Sequence, residues 1–251
     1  MAQFAYYATG HSSRTAGTRE RGGAVIRRIA GMVVRPRATL AEVVQAPAWL
    51  TIWAVVLVVW LVGGGALLST DVGKLALVDE RVRAVEAFGG RVSDADYAAM
   101  LVTPPWWVYV VSGSRTLLTP PVTVLAALVV LFVARADGVR ATFSQAMTIA
   151  VYATVVLALG QVIATPQHYI RESLTTPLTL AAILPLIEEG SIAARFFGTI
   201  DVFALWWMGL LALGLSVLTG RRLGRYLWPL VALYVSLAVV LAAMLAVMGG
   251  A

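Results

Sequence analysis

Cysteine is absent from the 251 residues. Disulfides, thiolate catalysis and cysteine metal sites are therefore excluded. Histidine is almost absent, with only His11 and His168. Charge is scarce as well: 13% of the residues are Asp, Glu, Lys or Arg, about half the share of a soluble domain. A water-solvated surface on a chain of this size needs more charge, so lipid solvates much of it. Lysine is reduced to Lys74 against eighteen arginines. With the abundance of Ala and Val, this points to a GC-rich, bacterial genome. Residues 1–22 lack an apolar core, so no cleaved signal peptide is expected there.

What remains is apolar. Hydrophobic residues make up 60% of the chain, and its mean hydropathy is +0.84. Five runs reach the roughly 20 residues that cross a bilayer as a helix. They are Trp49–Leu68, Thr119–Ala134 (with a possible start near Trp106), Phe143–Ala164, Thr199–Leu218 and Trp228–Met248. The expected fold is all-α: a multi-pass membrane protein of about five transmembrane helices, with its membrane domain over 48–251. Pro120 and Pro121 near the start of the second run suit the first turn of a helix.

Ahead of the spans, residues 1–22 read as a disordered cytoplasmic tail and 23–47 as an amphipathic interfacial segment. Val25, Ile26, Ile29, Met32 and Val33 recur at helical spacing from Ala24 to Val34, with Arg27 and Arg28 off that stripe. Arg35-Pro36-Arg37 breaks the helix, and Ala38–Gln45 forms a second amphipathic turn. Two longer outer loops remain, 70–105 and 165–198. The first suits a soluble helix over Leu75–Phe88, and Ser93 with Asp96 marks a helix start. The second holds Leu178–Ile187, an interfacial or re-entrant piece, with a sixth span as the alternative.

The charge of the loops sets the orientation. With the N-terminus inside, twelve basic residues are cytoplasmic and seven are outside, while the outer loops hold most of the acids. The positive-inside rule thus predicts N-in, C-out. Five spans require opposite ends, so count and orientation agree. Trp49 and Trp53, Trp106 and Trp107, and Tyr226 and Trp228 mark predicted span edges, as amphipathic rings at headgroup level do.

No residue pattern identifies a catalyst. Glu188-Glu189 with Arg195 has a faint likeness to a two-glutamate protease motif, but the arginine is two residues too far along. His168 and Glu172 stand four apart, yet zinc needs three or four ligands; loop polarity is the simpler reading. No histidine base falls in any predicted span for a serine protease. Gly63-Gly64-Gly65 lies in an apolar helix and suits close helix approach or a kink, not nucleotide binding. Catalytic residues, cofactors and metals are therefore all expected to be none. Asp201, at the start of the fourth run, and Gln161, late in the third, are the intramembrane polar candidates, Asp201 with helix capping as its structural role. Ala212 and Ser216, and Ala238, Ala242 and Ala246, form small-residue ridges for helix packing. Arg27, Arg28, Arg35 and Arg37 are the candidate contacts for lipid or a partner.

The order of these parts resembles the Yip family. The resemblance rests on Arg35-Pro36-Arg37-Ala38-Thr39-Leu40 followed by Pro47. It rests also on ATFSQAMTIAVYATVV from Ala141, and on GTIDVFALWWMGLLALGLS from Gly198 to Ser216 with Asp201, Trp206 and Gly214 in place. It covers residues 30–248. It implies a five-helix membrane domain with a cytoplasmic N-terminus and no family catalytic residues. Eukaryotic relatives act in vesicle traffic, but their Asp-Leu-Tyr-Gly-Pro motif is absent here. Some bacterial relatives are thought to assist ATP-binding-cassette export. The leading expectation is a non-enzymatic scaffold or assembly factor in the bacterial cytoplasmic membrane. Its partners would be anionic lipids of the cytoplasmic leaflet and other membrane proteins or itself, with no nucleic acid. A small transporter or lipid-handling protein is the alternative, and an intramembrane hydrolase ranks below both.

Overall fold

The computed structural model describes residues 22–87, 90–102, 106–173, 178–183 and 196–248. It is an all-α multi-pass membrane fold. The chain runs through α1 (22–34), α2 (Pro36–Gln45), α3 (Leu50–Leu68), α4 (Asp71–Ala87), α5 (Asp94–Val102) and α6 (Trp106–Ala136). It continues through α7 (Phe143–Ile170), α8 (Leu180–Ile183), a single turn α9 (196–198), α10 (Val202–Thr219) and α11 (Gly224–Met248). Four of these contain stretches long and apolar enough to cross a membrane: α3, α6 from Leu117, α7 and α10. The fifth run falls on α11, whose apolar stretch covers Gly224–Val240 among the described residues.

Helix α7 is the axis. Its apolar window is 72% buried, against 17% for α3 and 28% for α6, and α3, α6 and α10 each pack on it. Small residues allow this. Ala146, Ala150 and Ala153 are fully buried, and Gly214 of α10 sits where any Cβ would overlap Ile149. Buried Thr148 and Thr154 donate to carbonyls of their own helix, Ser144 and Ala150, each at 2.8 Å. No polar atom of theirs has to find a partner across the bundle. The outer faces of α3 and α6 expose Leu61, Val62, Leu125 and Phe132, as lipid-facing helices do.

Helix α7 starts where the chain specifies a start. The Thr142 hydroxyl accepts from the Gln145 backbone N–H, and the Gln145 side-chain oxygen accepts in turn from the Thr142 N–H, a reciprocal capping box. The T-x-x-Q spacing was there to be read. Helix α2 begins with Pro36 at its first position, where the missing N–H costs nothing.

Three expectations differ in detail. Helix α6 runs fourteen residues ahead of Pro120, so the proline pair lies inside the helix and not in its first turn. The expected soluble helix at Leu75 starts at Asp71 and is not detached. Ala76, Leu77 and Val78 are buried, and the first two cluster with Leu67 and Leu68 of α3. Phe88 at its expected end lies outside the described residues. Of Leu178–Ile187, only 178–183 is described. It forms a single antiparallel bridge, Thr179 with Asp201, then the one turn of α8. The tail 1–21 and the Glu188-Glu189-Arg195 motif lie outside the described residues.

Candidate functional site

The N-terminal segment 23–47 was expected at the membrane interface. Its α2 spends its apolar face on the bundle: Thr39, Leu40, Val43 and Val44 are buried, and the helix packs on α10 and α7. Helix α1 divides the predicted stripe. Val25, Ile29 and Met32 turn inward, while Ile26 and Val33 are exposed together with Val34. The tight α1–α2 corner places Gly31 against the Thr39 hydroxyl, where a Cβ would clash.

The four arginines separate. Arg27, Arg35 and Arg37 are exposed. Arg28 is not: its side chain is 28% exposed and pairs with Glu42 at 3.5 Å. That pair lies beside Tyr152, the largest fully buried side chain. The Tyr152 hydroxyl faces the Arg28 side chain, but neither it nor Arg28 Nε completes a well-aligned hydrogen bond among the described residues. Sequence spacing placed Arg28 off the apolar stripe, and the α2 carboxylate one helix away draws it inward.

Tyr152 lies nine residues into α7, about 13 Å from its start. The α1–α2 hairpin therefore sits at the same end of the bundle as the α6–α7 and α10–α11 turns. These turns are short and each contains a left-handed glycine, Gly138 (φ 84°) and Gly220 (φ 70°), which side chains rarely tolerate. Arg135, Arg140, Arg221, Arg222 and Arg225 join the four N-terminal arginines here, against Glu42 and Asp137. One end of the fold is strongly basic.

A tie across 88 positions fixes this end. Arg225 donates to Asp137 at 2.7 Å, and the Tyr226 hydroxyl donates to the other carboxylate oxygen. Tyr226 also meets the Thr219 hydroxyl at 2.8 Å, and Ser216 donates to the Arg221 carbonyl at 2.6 Å. The Tyr226 hydrogen bond, then Arg225 and the charge of Arg221, hold the Asp137 carboxyl below its ordinary value, against the opposing effect of burial. A depressed carboxylate pKa contributes stability above the unfolded value and loses it as pH falls through the folded one. Asp137→Asn is therefore expected to melt below the wild type at pH 7, with the gap closing as the pH drops below 3.8. Thermal unfolding in detergent across that range tests this; a gap unchanged at low pH means the tie is not ionic. No periodicity links residues 137 and 225, so the sequence reading missed it.

At the opposite end, Asp201 Oδ1 accepts from the N–H groups of Phe203 at 2.7 Å and Ala204 at 3.1 Å. This is N-cap geometry, worth about 1 kcal/mol. The Asp201 N–H donates to the Tyr234 hydroxyl at 3.0 Å. Gln161 faces elsewhere: its amide donates to Thr165 at 3.3 Å. There Gly63 of α3 approaches so closely that a Cβ would stand 3.2 Å from the Thr165 hydroxyl. Gly63 thus serves close helix approach while Gly65 faces open space, and Gln161 and Asp201 share no partner. His168 is buried, not loop polarity. Glu172 lies past the helix end with φ 49°, so the two do not share a helical face. Among the described residues no three His, Asp or Glu side chains gather as a metal site would require.

The small-residue ridge of α10 is buried at Ala212 and Ser216, and Ala238 of α11 is 5% exposed. The side chains of Ala242 and Ala246 lie outside the described residues.

Residues 30–248 match one family model, the Yip1 domain. The chain belongs to the Yip1 domain family. No curated protein and no solved structure matches it. The Yip1 domain begins inside α1 and closes at the end of α11, so it takes in the whole bundle. Arg35, Arg37, the Asp137 tie and Asp201 fall within it, whereas Arg27 and Arg28 precede it.

Proposed function

We propose that this Yip1 domain protein is a non-enzymatic scaffold or assembly factor of the bacterial cytoplasmic membrane. Residues 1–22 form a cytoplasmic tail, 23–47 a docked amphipathic segment, and 48–251 a five-span domain, oriented N-in and C-out. The basic end is then cytoplasmic. The observation that carries the reading is that end itself: arginines from three separate segments converge there, and the Asp137–Arg225–Tyr226 tie joins two of those segments. Exposed Arg27, Arg35 and Arg37 form the surface for anionic lipid and for a membrane-protein partner, with an ATP-binding-cassette exporter as the candidate complex.

The absence of native cysteine makes the orientation simple to test. A single cysteine at Arg140 should resist a membrane-impermeant maleimide in intact spheroplasts, and one at Asp94 should react. The reverse pattern overturns the orientation. For the scaffold role, the protein is purified from its native membrane in mild detergent, and its stoichiometric partners are identified. Charge reversal at Arg27, Arg35 and Arg37 should remove them while the fold survives; an unchanged set of partners rejects this surface.

A further inference from the structure

Helices α6 and α11 both pack on α10 but leave a groove between them, with a volume of about 570 Å³. Its floor is α10, through Met208 and Leu211, and its walls include Val129 and Leu233. The groove follows α6 from Val122 to Asp137, about 22 Å at helical rise. One leaflet of hydrocarbon is about 15 Å deep, so the groove reaches through that depth.

Its chemistry is one-sided. The lining is apolar along its length apart from Tyr234, whose hydroxyl is already engaged with Asp201 and Thr199, and Trp207, whose indole N–H is buried. At the basic end it meets Asp137, Arg225 and Tyr226. Each Asp137 oxygen is engaged by one partner. Arg225 spends one donor on it and stays 61% exposed, with further guanidinium donors in hand. Arg221 is exposed and near enough to act on Asp137. The open end therefore carries Arg225 and Arg221 against the Asp137 carboxylate, a surplus of one positive charge. A polar solute finds no accessible free polar group along such a groove to bind. A molecule with one long apolar part and one anionic end matches it throughout.

We propose that this groove holds an acyl chain of one anionic phospholipid from the leaflet at the basic end, its headgroup on Arg225 and Arg221. The match of charge separates it from the lipid that merely surrounds the bundle. An uncompensated arginine at an anionic surface is worth about fivefold in affinity, so the single surplus charge predicts roughly a fivefold preference for an anionic over a zwitterionic headgroup.

The test is native mass spectrometry of the full chain in mild detergent, titrated with phosphatidylglycerol or phosphatidylethanolamine. One phosphatidylglycerol should stay bound with that preference. Arg221 makes no bond to Asp137, so Arg221→Gln keeps the tie and should remove the roughly fivefold preference. Val129→Trp enlarges a 45% exposed wall residue, and should displace both lipids while the melting temperature is kept. Equal retention of the two lipids, or unchanged retention in Val129→Trp, overturns the proposal. So does a lipid-free dimer that Val129→Trp converts to monomer, which would assign the groove to a second copy.

Discussion

Replacing Gly214 with leucine is expected to destabilise the bundle more than any other single substitution considered for α10. Gly214 lies at the contact of α10 with α7, and even a Cβ there overlaps Ile149 Cγ2, with Cγ1 at 3.1 Å. Ile149 is fully buried among Ala146, Ala150 and Ala153, so it has no free space to move into. Overpacking of this kind costs about 1–3 kcal/mol, and more where the backbone must part. The steric term does not depend on the solvent, so a lipid surrounding gives no relief. Gly214→Ala is the cleaner probe, because Ile149→Ala removes both clashing carbons. Alone, Ile149→Ala leaves a cavity, at about 2 kcal/mol or more. Paired with Gly214→Ala, it should cost at least 0.5 kcal/mol less than the two singles combined, the size of coupling expected for residues in contact. Thermal or denaturant unfolding of the four proteins in one detergent closes the cycle. Strict additivity would falsify the contact.

Tyr152→Ala carries the second large effect. Tyr152 is fully buried in α7 where the Arg28–Glu42 pair of the α1–α2 hairpin meets the bundle. Truncating a buried ring costs about 3–5 kcal/mol, part transfer and part cavity. In a membrane the transfer part shrinks, because lipid is as apolar as the protein interior, but the lost packing contacts remain. The lower end, about 3 kcal/mol, is therefore expected. Tyr152→Phe should cost far less, because it keeps the ring and gives up only a weak contact of the hydroxyl with Arg28. The hairpin supplies a more specific readout. Leu40, Val43 and Val44 are buried in the same core cluster as Tyr152, so hydrogen exchange of α2 should quicken in Tyr152→Ala and not in Tyr152→Phe. Equal protection in both would detach the hairpin from Tyr152.

The sequence by itself determined the class and the long elements. Runs of apolar side chains about 20 residues long have one stable form in lipid, a helix with its backbone bonds closed within the segment. That is why Leu50–Leu68, Phe143–Ile170 and Val202–Thr219 appear where their runs lie. The helix ends were local too: the starts at Pro36, the Thr142–Gln145 box and Asp201 and the stop at Gly220 act within four residues of themselves. The order of those pieces carried the family likeness as well. Tertiary structure decided everything that depends on which face meets which. The chain showed Arg27 and Arg28 as equals, and only the return of α2 brings Glu42 to one of them. It showed the loop 70–105 as polar, and only the placement of α4 buries Ala76 to Val78. The Asp137–Arg225 tie joins residues 88 apart, and the groove above α10 exists because α6 and α11 do not close over it. Periodicity records the direction of a side chain about its own helix axis. The rotation and spacing of one helix against another are set by packing that no single stretch encodes.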